Sequence, residues 1–271
     1  MKPGIYYNIS NEYYHYNPKY RALSKGGIVQ LLKSPAHFKA WEKRDKEDPT
    51  PAMNFGSAAH SLILEPNKNK VVKAPNINRR TTEGKELWGK FVSDSQDKIV
   101  ITSDEWAQIK AMKKVINKSE TASNLLRDGK PEATIYWRDR NYKYLCKARP
   151  DYVIEDLKIL VDYKTAIDAS PDAFASAIVR FGYDIQAAWY LYGMNIITNE
   201  IDEWKFIFIV QEKTPPFPVA CYRAGDEILR LGEDKFKSAV LQYHLCKKVL
   251  KRWDAYPDEL VDIIPPRWAT Y

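Results

Sequence analysis

Two apolar runs, Tyr152 to Ile154 and Ile159 to Tyr163, are separated only by Glu155-Asp156-Leu157-Lys158. Such a short polar interruption leaves the chain little choice but a tight antiparallel hairpin. With Asp156-Leu157 as the turn, Glu155 faces Lys158 and Ile154 faces Ile159. Carrying that register onward sets Asp151 directly opposite Asp162. Opposed residues in such a pair have Cβ atoms roughly 4.5–5.5 Å apart. Side chains alternate along a strand, so Asp162 and Lys164 share a face and Tyr163 points away. Two carboxylates that close repel, and one pKa rises unless something positive intervenes. A divalent cation resolves the conflict, and hard oxygen ligands suit Mg²⁺, with Mn²⁺ as a substitute. A lysine beside such a site orients or deprotonates a water, or steadies charge developing on a phosphorane. These parts suit hydrolysis of a phosphodiester.

The triplet alone is a weak signal. An acidic residue two before a lysine occurs six times, beginning at Glu83, Asp128, Asp156, Asp162, Glu203 and Glu233. An exposed cross-strand cluster of salt bridges would use the same residues as the proposed centre. Two further features need weighing. His60 lies among small residues, Gly56-Ser57-Ala58-Ala59, which let a helix pack closely; it is either a core histidine or a metal ligand. Gln186 and Tyr190 are i and i+4 on a helix and share a face. They either pack ordinarily or hydrogen-bond the site or its substrate.

Along the chain, residues 1–125 are expected to be mainly helical. Ser24 caps a helix through Leu32, and Ser34-Pro35 starts a second carrying His37, Phe38 and Trp41. Asp48 to Pro51 is a break, followed by helices over Asn54 to Glu65, Glu83 to Val92 and Ser103 to Asn117. The catalytic part is expected over 126–255. Four strands, Ala133 to Arg138, Lys143 to Ala148, Tyr152 to Ile154 and Ile159 to Tyr163, form a meander. Helices Pro171 to Arg180 and Asp184 to Ile197 follow. Strands Trp204 to Val210 and Val219 to Tyr222 precede one long helix from Gly225 to Trp253. Pro265-Pro266 ends the order, leaving Arg267-Trp268 in a tail over 256–271. The charged stretch Glu42 to Asp48 is a solvated helix end. The expected fold is α/β (α+β): one domain with a central mixed, mainly antiparallel sheet flanked by helices.

Charge and composition narrow the function. Lysine and arginine number 42 against 35 aspartate and glutamate, a net +7 that favours a polyanionic partner. The 3 cysteines, Cys146, Cys221 and Cys246, are scattered, which excludes a disulfide framework, a zinc knuckle and an iron–sulfur cluster. They imply free thiols in a reducing cytoplasm. No segment approaches the ~18 apolar residues of a membrane span, and the N-terminus lacks a signal peptide's apolar run.

Taken together, these residues resemble the PD-(D/E)XK nuclease superfamily. Pro150-Asp151, then Asp162 and Lys164, match its core motif. His60 upstream and Gln186-x-x-x-Tyr190 downstream look like the RecB-type branch. Asn8 to Tyr14, Ala22-Leu23-Ser24, Leu31 to Phe38 and Met53 to Glu65 are similar to the opening motifs of its phage RecE (exonuclease VIII) group. The resemblance covers roughly residues 5 to 215. It implies that Asp151, Asp162 and His60 hold Mg²⁺ with the Tyr163 carbonyl, and that Lys164 activates the water. Glu132 would be a second-shell or second-metal carboxylate, and Thr165 would touch a phosphate. Gln186 and Tyr190 support the site. Asp162 stands where many relatives have glutamate, so the metal must sit nearer the strand. Ser24 and Lys33, with Lys25 and Lys39, are candidate DNA contacts.

The resemblance further implies a processive exonuclease acting on double-stranded DNA ends, 5′ to 3′, leaving a 3′ overhang. Its implied partners are a RecT-type single-strand annealing protein and further copies in a ring. The implied setting is a bacterial cytoplasm with a phage or prophage gene. Two other readings use the same fold: a restriction, repair or CRISPR-adaptation endonuclease, and a non-catalytic DNA-binding scaffold. The intact Asp151, Asp162 and Lys164 argue against the scaffold.

Overall fold

The computed structural model describes residues 1–17, 21–44, 49–200 and 203–265. Its first part holds β1 (Gly4–Tyr6), α1 (Asn11–Tyr16), α2 (Lys25–Lys33), α3 (Pro35–Lys43) and α4 (Pro51–Leu64). Then come β2 (Val71–Lys73), α5 (Thr82–Asp94), β3 (Ile99–Ile101), α6 (Ser103–Lys118) and α7 (Glu120–Leu125). The catalytic part holds β4 (Lys130–Pro131), β5 (Thr134–Arg138), β6 (Leu145–Ala148), β7 (Tyr152–Ile154) and β8 (Ile159–Ala166). It ends with α8 (Pro171–Phe181), α9 (Tyr183–Thr198), β9 (Lys205–Glu212), β10 (Val219–Arg223) and α10 (Asp226–His244). Among the described residues, no helix is long and apolar enough to cross a membrane.

The fold class is the expected one. The largest sheet has the order β10-β9-β8-β7-β4 and is antiparallel except where β8 runs parallel to β9. Alternating side chains of its strands feed two cores. Val153, Leu160, Phe206 and Phe208 face α2, α3, α8, α9 and α10. Tyr152, Ile154, Val161, Tyr163 and Ile209 face α4, α6 and α7. The first core centres on Trp137 and Trp189, both fully buried, with ring centroids 4.8 Å apart. Burial of each indole, on the order of 200 Å², contributes roughly 5 kcal/mol before conformational entropy is charged against it.

Four expectations need correction. The four strands over 133–163 do not form a meander. The β5·β6 pairing (Ile135↔Ala148) and the β4·β7 pairing (Pro131↔Tyr152) lie in one continuous register. Residues 145–154 therefore act as one bent strand, paired with 130–138 on one side and joined by β7 to β8 on the other. The bend falls at Glu132, whose φ of 58° is left-handed and turns the ribbon. The first part is not mainly helical alone, because β1 extends the β5·β6 pair and β2 pairs with β3. The last helix stops early. After His244 it loosens into a π-helical stretch, Leu245–Leu250, and Lys251 turns left-handed. That turn brings Trp253 back to stack on Phe38, ring centroids 5.6 Å apart. Finally, β8 and β9 each run longer than expected. Pro266, Arg267 and Trp268, and most of the charged stretch after Arg44, lie outside the described residues.

The site depends on how closely α10 approaches α9. A Cβ on Gly232 would lie 2.1 Å from the Asp184 carbonyl oxygen. Substituting Gly232→Ala must push the two helices apart. We expect a loss of about 3 kcal/mol and a Tm lower by roughly 6–12 °C in thermal unfolding.

Candidate active site

The site lies in a fork of the sheet. Strand β8 pairs with β9 along its whole length but with β7 only over Ile159–Val161. The observed pairs Tyr152↔Val161, Val153↔Leu160 and Ile154↔Ile159 match the sequence-derived register. One step further, Asp151 faces Asp162 across the opening fork. Asp151 replaces the missing strand partner there: its Oδ2 accepts the Tyr163 N–H at 2.8 Å. On its other side, the Asp151 carbonyl accepts the Glu132 N–H at 2.9 Å. Glu132, Asp151 and Asp162 thus stand in one row across three neighbouring strands.

Helix α4 brings His60 to this row. Thr50 caps the helix, Pro51 opens it, and Ala58 and Ala59 are fully buried against the second core. Those small residues allow the close approach that carries the imidazole to the fork. His60 Nε2 lies 3.0 Å from Asp151 Oδ1, and Nδ1 lies 3.5 Å from Glu132 Oε1. Donor atoms of His60, Glu132 and Asp151 all fall within 4.8 Å of one another. Arg149, across the ribbon from Thr134, steadies the far side. Its NH1 lies 3.6 Å from Glu132 Oε2, and its Nε donates to Thr134 Oγ1 at 2.9 Å.

Asp162 is fully buried beside this group. Gln186 Nε2 donates to its Oδ1, and Lys164 Nζ pairs with its Oδ2. Lys164 also sits over the Tyr183 ring, 4.7 Å from the centroid. The i, i+4 pair on α9 braces both carboxylate strands. Gln186 holds Asp162, and Tyr190 takes a backbone N–H of Arg149, two residues before Asp151. Removing the first brace leaves a buried carboxylate oxygen without its donor. Gln186→Ala should therefore cost about 2 kcal/mol, read as a lower urea midpoint.

The electrostatics follow from crowding charge in a dry fork. Burial opposes charge on His60, but Asp151 and Glu132 raise its pKa to about 9. Burial likewise opposes ionised Asp151, but His60 and Lys164 hold it below the usual carboxylate range. Asp162 is pushed up to about 6 by burial and by the Asp151 charge, in spite of Lys164. Glu132 is raised chiefly by burial. Burial disfavours the Lys164 ammonium, but Asp162 and Asp151 outweigh it and raise its pKa. The lysine is therefore charged at neutral pH.

Such a site attracts a cation. Two buried polar atoms in it lack an aligned hydrogen bond, His60 Nε2 and Asp162 Oδ2. The donor set of carboxylate oxygens and one imidazole suits a hard divalent ion. Asp151, His60 and Glu132 have donor atoms close enough to share one, and Asp162 would join on releasing Lys164. In a strand, the N–H and C=O of one residue point the same way. The Tyr163 N–H points at Asp151, so its carbonyl also faces the fork. Glu132, expected only as an outlying carboxylate, is thus closer to the donor group than Asp162.

Other expected residues fall differently. Ser24 is buried, and its hydroxyl accepts the Gly27 N–H as the cap of α2, which commits it to the helix. Thr165 alternates to the opposite face from Lys164, beside Gly56 of α4. Lys33 is exposed, eight residues along α2 from Lys25 and so about 12 Å away. Lys39 pairs with Glu42 at 2.6 Å. Lys25 does join the site. Its Nζ donates to the Phe181 carbonyl at 2.9 Å and lies 5.6 Å from the Tyr183 centroid, on the ring that Lys164 also meets. Burial and the Lys164 charge lower its pKa to about 8. Sequence reasoning missed the contributions of Arg149 and Tyr183. Arg149 precedes Pro150-Asp151, but nothing local marks it as the partner of Glu132.

Comparisons with known proteins place this geometry in context. A family model described as a PDDEXK-like domain of unknown function (DUF3799) matches residues 24–256. No curated protein matches the chain. A crystal structure of a "Putative exonuclease" from Eubacterium rectale is similar in fold. The TM-score is 0.62 at 14% identity, covering 96% of this chain and 97% of that one. A phage related exonuclease from Haemophilus somnus 129PT matches at 14% identity with a TM-score of 0.34, covering 86% of this chain and 98% of that one.

Proposed function

We propose, from the premise that the chain belongs to the PDDEXK-like domain family, that it is a divalent-metal-dependent deoxyribonuclease. The observation that carries the reading is the fork itself. It joins His60, Glu132 and Asp151 as one donor group and holds Asp162 and Lys164 beside it. A bound Mg²⁺, with Mn²⁺ as substitute, would polarise a phosphodiester and lower the pKa of a bound water. Every other part is supplied by the chain. Asp151 and Glu132 provide negative charge, and Gln186 fixes Asp162. Lys164 places an ammonium where charge grows on the phosphate. Lys25 adds a second cation beside it, and the net +7 favours a polyanion.

The finer reading is an exonuclease of the RecE type that digests one strand of linear duplex 5′ to 3′. The resemblance of residues 5–215 supports it, as does the name of the similarly folded Eubacterium rectale protein. The test uses linear duplex labelled at its 5′ ends, and closed circular duplex, each with Mg²⁺. Loss of the linear form alone, with early release of labelled mononucleotide, is the expected result. Cutting of the circle would replace the exonuclease with an endonuclease. Loss of neither would remove the deoxyribonuclease reading.

A further inference from the structure

Two surface features on opposite faces of the sheet fit each other. The first is the C-terminal tail. Its root is pinned to α3: Trp253 stacks on Phe38, and Ala36 N–H donates to the Asp254 carbonyl at 3.3 Å. Beyond Tyr256 the chain runs out into solvent. Leu260, Ile263 and Ile264 are 100%, 90% and 81% exposed. Exposed acids, Asp258, Glu259 and Asp262, interleave with them. An apolar run this bare marks an interaction surface.

The second feature is a groove of about 260 Å³ between α4 and α6. Its walls are apolar, from Leu62, Val71, Trp106 and Ile109, and its rim is basic. Lys113 Nζ donates to the Leu62 carbonyl at 2.8 Å, and Lys110 lies over the Trp106 ring. The carboxylate among the lining residues, Glu65, is already matched by Lys68 and Lys70. The groove therefore offers apolar walls and spare positive charge. The tail offers apolar side chains and negative charge.

We propose that the tail of one chain seats in the groove of a second copy. Reach favours a second copy over the tail's own groove. Pinned at Tyr256, the tail has eight residues to Ile264, at most about 27 Å when extended. The groove lies across two helix layers and a sheet, together about 30 Å straight through and further around the edge. Tail and groove are different surfaces, so the contact is head-to-tail and repeats from copy to copy. It is independent of the nuclease reading.

The test is light scattering of the full chain across the micromolar range at low salt. The intact protein should run as a multiple of 31.5 kDa. The tail variant Leu260→Ser/Ile263→Ser/Ile264→Ser and the groove variant Lys110→Glu/Lys113→Gln should each run as single chains. Mixed in equal amounts, they should form a dimer and nothing larger, because one retains a groove and the other a tail. That dimer also requires both variants to be folded. The proposal is overturned if the intact chain is a monomer, if either variant keeps the full mass, or if the mixture stays monomeric. It is equally overturned if the groove variant keeps its mass but loses binding to single-stranded oligothymidine, which would make the groove a nucleic-acid site.

Discussion

Lys164→Gln should lower phosphodiester cleavage by about a thousandfold while leaving affinity for Mg²⁺ nearly unchanged. Lys164 is not in the donor group of His60, Glu132 and Asp151, so the substitution removes no ligand. What it removes is a charged donor at the edge of a dry site. Asp162 and Asp151 keep that lysine protonated, so its first contribution is electrostatic. Lys164→Arg should accordingly retain more rate than Lys164→Gln, since it keeps the charge. Initial rates on linear duplex, with calorimetric titration of Mg²⁺, separate the two effects. Cleavage that persists in the glutamine variant refutes the assigned role. Equal loss in both variants would instead favour a proton-transfer role, which arginine cannot fill.

Asp151→Asn should abolish cleavage by a different route, through the metal. Asp151 is the residue on which the group converges: it meets His60, receives the Tyr163 N–H, faces Asp162 and pairs with Glu132. Asparagine keeps a carbonyl to accept the Tyr163 N–H, so the fork should keep its shape. The lost charge should weaken Mg²⁺ binding by at least about 100-fold. The metal-free variant should unfold close to the parent, because removing one of two facing carboxylates also relieves their repulsion. A calorimetric titration that still shows parental affinity would remove Asp151 from the ligand set. A collapse in Tm would mean that its role is in holding the fork together.

How much of this is legible in the sequence differs from residue to residue. The β7–β8 register is legible because a four-residue polar turn between apolar runs admits few pairings. The Asp151–Asp162 opposition follows from it. Gln186 and Tyr190 are legible as one helix face, although not as a brace spanning two strands. The bent ribbon is not legible. It needs a left-handed Glu132, and a glutamate announces no such conformation as a glycine would. Without the bend, Glu132 looks peripheral when it in fact completes the donor group. Lys25 is hidden for another reason: it reaches Lys164 only because α2 docks against α9, a tertiary event that no local pattern encodes. The early end of α10 is of the same kind. Helical periodicity continues past His244, but packing of Trp253 onto Phe38 overrides it.

The position of the fork has a consequence for cooperativity. Its donors come from structural units that can open separately. His60 arrives on α4 from one core, and the brace on Asp162 arrives on α9 from the other. A cation held there would act as a clamp between two foldons. At a hundredfold excess over its dissociation constant it would add about 2.7 kcal/mol to any opening that parts them. Amide exchange in α4, whose detachment alone removes a donor, would slow with the metal even though the helix is far from most of the contacts that stabilise α9 and α10. Subglobal opening of one helix is then enough to disarm the site while the rest of the protein stays folded.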